Sequence, residues 1–185
     1  MRYFIGFLVT IGLIVLIIVL LVSGGGSKTP TVKALNLADY TQTNSTAQLI
    51  IDGPINADQS HHEAKITVDA NNVTATFYNG YQDTVLRSQS YTNNQTAYAV
   101  FLHALQHSGF TAYDAKITRD ERGYCPQGRR YILSFTSDGK ELRRSWATSC
   151  GNSVPRSYPG TVQPILNLFR AQVPDYTKLT TNDIF

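Results

Sequence analysis

Charge is scarce in this chain. Asp, Glu, Lys and Arg supply only 16% of its 185 residues, against about a quarter in an ordinary soluble domain. Scarce charge beside 42% hydrophobic residues excludes an intrinsically disordered chain, which needs the opposite balance. Cysteine is nearly absent as well: Cys125 and Cys150 are the whole complement. That excludes CxxC redox pairs, thiolate zinc sites and a lipoprotein signal, whose cysteine would have to follow an early apolar run. No GxSxG nucleophile elbow, P-loop or dinucleotide fingerprint occurs. The net charge of +3 is too slight to mark a nucleic-acid binder.

Long apolar runs, by contrast, are present. From Tyr3 to Val22 no position is charged, and only Gly6, Thr10 and Gly12 are not strongly apolar or aromatic. About twenty helical residues at roughly 1.5 Å each match a hydrocarbon core about 30 Å thick. Backbone groups in lipid must bond internally, so the run is expected to be a helix. Residues 1–22 therefore read as a transmembrane signal-anchor. The run exceeds the about 7–15 apolar residues of a cleaved secretory signal, although Val22-Ser23-Gly24 offers a poor cleavage site. Arg2 and the α-amino group on one side against Lys28 on the other favour a cytoplasmic N-terminus. The bulk of the chain is then expected outside the cytoplasm. Residues 23–30, rich in Gly and Ser, form a flexible tether with a reach of about 15 Å.

Residues 31–185 read as one extracytoplasmic α+β domain with an antiparallel sheet and two helices. Strands are expected over 32–40 and 47–52, with Gly53-Pro54 as a break. Ile66, Val68 and Ala70 alternate with polar residues, Asn71-Asn72 turns, and Val73, Ala75 and Phe77 continue the pattern. Ile66 is then expected opposite Phe77, with all six on one face. Asn79-Gly80 signals a further hairpin into a strand toward Tyr91. Asn94 is placed to cap a helix over 95–107, whose stripe is Tyr98, Phe101, Leu102 and Leu105, with Gly109 ending it. A second helix is expected over 161–173, with Val162, Ile165, Leu166 and Phe169 inward, Pro164 in its first turn and Pro174 beyond it. Strands and helices come in blocks rather than as βαβ units, hence α+β.

Between the helices a hairpin turns at Asp138-Gly139. A two-residue turn pairs Phe135 with Leu142 and Tyr131 with Trp146, and places Arg130, Ile132 and Ser134 on one face with Arg143 and Ser145. Cys125 and Cys150 flank the open end almost symmetrically. They are read as a structural disulfide, worth roughly 3.5 kcal/mol in the chain-entropy model.

Candidate chemistry is sparse. His103 and His107 have the i, i+4 spacing that places two metal ligands on one helix face, but Ala104 stands where a zincin carries Glu. His61-His62-Glu63 is the other source of ligands, yet adjacent strand residues point to opposite faces. Asp52, Asp58, Asp69 and Asp83 read as solvated carboxylates at loops and strand ends. Three Asn-x-Ser/Thr triplets, at Asn44, Asn72 and Asn94, matter only in a eukaryotic secretory pathway.

The unusual feature is how charge is sorted. Residues 116–156 hold nine basic side chains against four acidic ones, whereas residues 30–115 hold three basic against seven acidic. Arginine outnumbers lysine seven to two in the basic block, which suits bidentate contact with phosphate or carboxylate. Arg129, Arg130, Arg143 and Arg144 are the candidate contact surface. The partner classes are anionic lipid, a wall polymer or an acidic protein; no nucleic acid and no cofactor are expected. The chain thus reads as a single-pass, membrane-anchored cell-envelope binding domain rather than an enzyme. The alternatives are a small metal-dependent hydrolase using His103 and His107, and an accessory subunit of a membrane complex. Washing membranes at alkaline pH checks the anchor: the full chain is expected to stay in the pellet, and a chain lacking residues 1–22 to be released.

Overall fold

The fold was analysed in a computed structural model, which describes residues 35–180 apart from residues 83 and 152. The expected anchor and tether lie outside the described residues. Among the described residues, no helix is long and apolar enough to cross a membrane.

Six strands form one sheet: β1 (Ser45–Asp52), β2 (His62–Asp69), β3 (Asn72–Asn79), β4 (Thr84–Thr92), β5 (Arg130–Ser137) and β6 (Lys140–Thr148). Their order is β4-β3-β2-β1-β5-β6, every neighbour antiparallel. Strand β1 lies inside the sheet with strictly alternating burial, Ala47, Leu49 and Ile51 being buried and Gln48 and Ile50 between them half-buried on the other face. Helices α1 (Gln95–His107) and α2 (Gln163–Ala171) cover the face that carries those residues. Asn94 caps α1 by accepting from the Ala97 amide, and Tyr98, Phe101, Leu102 and Leu105 are its buried side chains, as the spacing predicts. Phe101 of α1 meets Phe169 of α2 edge to face at 5.2 Å. A short α3 (Tyr176–Thr180) follows Asp175, whose φ of 56° turns the chain back. Arg87 of β4 donates to the Leu179 carbonyl, and the Tyr91 hydroxyl to the Pro174 carbonyl, so this C-terminal stretch leans on the β4 edge.

Three local expectations are corrected. Residues Leu37–Tyr40 form a 3-10 turn capped by Asn36 rather than a strand; residues 32–34 lie outside the described part. The β2–β3 turn is Ala70-Asn71, because Asp69 Oδ1 accepts from the amides of Asn71 and Asn72 at 2.7 and 2.8 Å. Val68 therefore faces Val73 and Ile66 faces Ala75. A slip of two keeps every apolar side chain on its face, so the core is unaltered. The β5–β6 hairpin differs more. Thr136 pairs with Glu141, but Phe135 pairs with Arg143, an irregularity that skips Leu142. A slip of one exchanges the faces. Trp146 thus pairs with Ile132 and not Tyr131, and Arg144 joins the face of Arg130 and Ser134 while Arg143 leaves it.

That exchange creates a second, smaller core on the face away from the helices. Trp146 is fully buried there, its indole Nε1 donating to the Thr118 carbonyl at 2.8 Å and its rings 4.9 Å from Tyr124. The Cys125–Cys150 disulfide closes this patch, with Cα atoms 5.7 Å apart. Gly128 is obligatory beside it, since a Cβ there would fall 2.5 Å from Cys125 Sγ. Because the disulfide ties a loop to β6 and not the helices to the sheet, the C125S/C150S double variant is expected to keep its far-ultraviolet spectrum and lose about 3 kcal/mol in denaturant unfolding.

Candidate functional site

Strands β1, β2 and β5 end together on the helix-free face. Asp52, the last residue of β1, is paired across the ladder with Glu63 on one side and Arg130 on the other. Gly53 then breaks the strand, a 3-10 turn at Asp58–Ser60 reverses the chain, and His61 comes back over Asp52. The loop after β3 brings Tyr81 and Gln82 onto the same spot. Arg130, His61 and Glu63 are exposed by only 2%, 0% and 6%. Four ionisable side chains, scattered over 79 positions from 52 to 130 in sequence, therefore share one nearly dry corner.

Each of them is held from one side. Arg130 Nε donates to Asp52 Oδ2 at 2.7 Å, and its Nη2 to the Gly53 carbonyl at 2.8 Å. Gln82 Nε2 donates to Glu63 Oε1 at 2.6 Å. His61 Nδ1 lies 2.9 Å from the Pro54 carbonyl; a carbonyl only accepts, so Nδ1 carries hydrogen and Nε2 is the atom turned inward. Tyr81 stacks on the imidazole at 3.9 Å and 11°, anchored by its hydroxyl donating to the Asn56 carbonyl at 2.9 Å. Asp52 Oδ1 and His61 Nε2 face each other at 3.1 Å with no other partner, and buried Arg130 Nη1 has no hydrogen-bond partner. Burial, and next the charge of Asp52, push the Glu63 carboxyl up to about 7 from its ordinary 4.5.

The four arginines singled out by sequence do not form one surface. Arg130 is inside the cluster just described. Arg144 forks onto both oxygens of Glu121 at 2.9 and 3.0 Å. Arg129 is half-buried, its amide donating to Ser149 Oγ at 2.8 Å. Arg143, on the opposite face after the register slip, lies over the Tyr113 ring at 5.3 Å. Arg119 lies over that same ring at 5.7 Å. Burial, and next the nearby Arg119 charge, lower Arg143 from its usual value, and its buried Nε has no hydrogen-bond partner. Arg119 is raised from its own by its hydrogen bond with Tyr113.

His103 and His107 stand exposed on α1. Among the described residues, Asp52, His61 and Glu63 are the group of ligand-type side chains within mutual reach, their atoms within 4.8 Å of one another. The sequence reading missed them. It set aside residues 61–63 because neighbours in a strand face opposite ways, yet His61 and Glu63 are two apart and share a side. It also read Asp52 as a solvated carboxylate, whereas Arg130 and His61 enclose it. The signal that could have found the site is the H-x-E pair facing an Asp across a hairpin with a Gly-Pro break. No protein-family model matches the chain, and neither does any curated protein sequence.

The raised Glu63 carboxyl sets a pH dependence. A group whose folded value lies above its unfolded one contributes stability that is complete below the unfolded value and lost as pH rises through the folded one. Stability is therefore expected to fall between about pH 4.5 and pH 7 by a few kcal/mol at most. Asp52, His61, Lys65, Glu121 and Arg130 surround the group. To isolate the contribution of this one carboxyl, unfolding of the unmodified chain is compared with Glu63→Gln at pH 5 and pH 8. The substituted chain is expected to gain relative stability at the higher pH.

Proposed function

We propose that this chain is a membrane-anchored, extracytoplasmic binding module rather than an enzyme, and that its partner is an anionic lipid surface. The contact is made by arginines beside β6, Arg119 and Arg143 foremost. One observation carries the reading: two guanidiniums converge on Tyr113, while the ion pairs of the arginines around them engage others. Arg122 is paired with Asp120, Arg144 with Glu121 and Arg130 with Asp52. Crowding two like charges costs free energy unless an anion sits between them, and guanidinium forks suit phosphate oxygens. The disulfide supports an oxidising compartment. The tether's short reach, about 15 Å, supports a partner at the membrane itself.

Arg130 and Arg144 belong to the fold in this reading, and Arg129 lies beside the disulfide loop. The test is cosedimentation of residues 31–185 with phosphatidylglycerol and with phosphatidylcholine vesicles over a salt series. Binding is expected only to the anionic vesicles and to weaken with salt. At about 1 kcal/mol per charge, the R119Q/R143Q double variant is expected to bind roughly tenfold more weakly or worse, and R122Q to differ little. Equal binding to both vesicles, or none to either, overturns the proposal; capture by wall fragments or an acidic protein alone would move it to those partners.

A further inference from the structure

We infer that Asp52, His61 and Glu63 form a binding site for one divalent transition-metal ion. The three side chains offer one imidazole nitrogen and two carboxylate oxygens within 4.8 Å of one another. His61 Nε2 and Asp52 Oδ1 already lie 3.1 Å apart. At about 2.0–2.1 Å per bond, a tetrahedral ion spaces its ligands by roughly 3.3–3.4 Å. The first two ligands stand near that spacing, and only the Glu63 carboxylate has to draw in.

Two further observations point to a ligand and not merely to a cluster of charges. His61 is fully buried, and its Nε2 stands 3.1 Å from Asp52 Oδ1, a contact that is satisfied only when a proton or a metal ion lies between the two atoms, neither of which has another partner. Without a proton the two lone pairs face each other in a dry corner, which is costly, and a metal ion between them satisfies both. The second is the support behind the ligands. His61 Nδ1 is engaged by the Pro54 carbonyl, Asp52 Oδ2 by Arg130, and Glu63 Oε1 by Gln82. Each ligand is oriented by one partner, which leaves its other polar atom available, as in metal centres whose outer partners fix the tautomer and the direction of the ligands. With Nδ1 turned to the Pro54 carbonyl, Nε2 is the ring nitrogen placed to ligate an ion that displaces any proton there.

The donor set selects the class of ion. Calcium and magnesium prefer all-oxygen sites, whereas an imidazole beside carboxylates suits zinc, manganese or iron. Arg130 opposes a cation electrostatically, but its charge is spent on Asp52 Oδ2 and the Gly53 carbonyl.

The experiment titrates the full chain, in detergent and without an affinity-tag histidine run, with Zn2+, and in parallel with Ca2+. One Zn2+ per chain is expected, displacing neither the fold nor the disulfide, with Ca2+ binding far more weakly. H61N and E63Q are each expected to weaken Zn2+ by at least about tenfold, and an H103A/H107A variant to leave it unchanged. Because substitution of a buried residue can unfold the chain, X-ray absorption of the Zn2+-loaded unmodified chain provides an independent reading. One imidazole with oxygen ligands is expected; two imidazoles, or none, overturn the inference. No stoichiometric Zn2+, or Zn2+ lost with His103 and His107 and retained in H61N and E63Q, overturns it equally.

Discussion

Arg130 cannot be buried alone. A guanidinium exposed by only 2% pays a large desolvation cost, and removing its counter-charge from such a pair typically costs about 3–5 kcal/mol. Its partner, Asp52, belongs to the other half of the chain, so the pair joins the hairpins formed by residues 45–92 to the hairpin formed by residues 130–148. The β1–β5 ladder that this pair terminates is the one long-range junction in an otherwise sequential meander. Everything at that end of the sheet is arranged around it: Gly53 lends its carbonyl to the same guanidinium, and the remaining Asp52 oxygen is turned toward His61.

The sheet has two unlike faces for a related reason. Apolar residues at alternate positions of β1, β2, β3 and β5 gather under α1 and α2. On the other face, charged and hydroxyl-bearing residues lie in rows, with Thr74 to Ser90 and Thr76 to Ser88 at 3.2 and 3.0 Å. Only beneath β5 and β6 does an apolar cluster form on that face, around Trp146, and there the disulfide loop covers it. The long segment between α1 and β5 thereby closes the small core and delivers Arg119 to Tyr113. Stability and the proposed contact surface are built from the same loop.

Function and fold compete for the same arginines. Those that the structure neutralises internally serve the sheet or the loop, while Arg119, near Glu141, and Arg143 both lie over Tyr113. At the other site the three candidate ligands are oriented but incompletely satisfied. Both are places where local rules are broken, which is where binding is expected to reside. They lie on different elements and, as proposed, suit ligands of opposite charge, in keeping with the sorting of acidic and basic residues along the chain.

Period and punctuation were enough, without tertiary information, to identify the two longer helices, the buried stripe of α1, the strands from 45 to 92 and the disulfide pair, although α2 is shorter than expected and Val162 is its N-cap rather than part of its buried stripe. The helices and strands depend on side-chain spacing and capping within a dozen residues, and the disulfide on there being just two cysteines. Register was not legible. Whether β6 skips Leu142 depends on how Trp146 and Arg143 are accommodated on opposite faces, a matter of packing across the sheet. The charged corner was still less legible, because Asp52, His61, Glu63 and Arg130 become neighbours only when β1 lies between β2 and β5. Residue types and alternation therefore determined what kind of sheet this chain makes. Only strand order and register decided which of its few charges meet, since electrostatic neighbours in a folded sheet are set across strands and not along them.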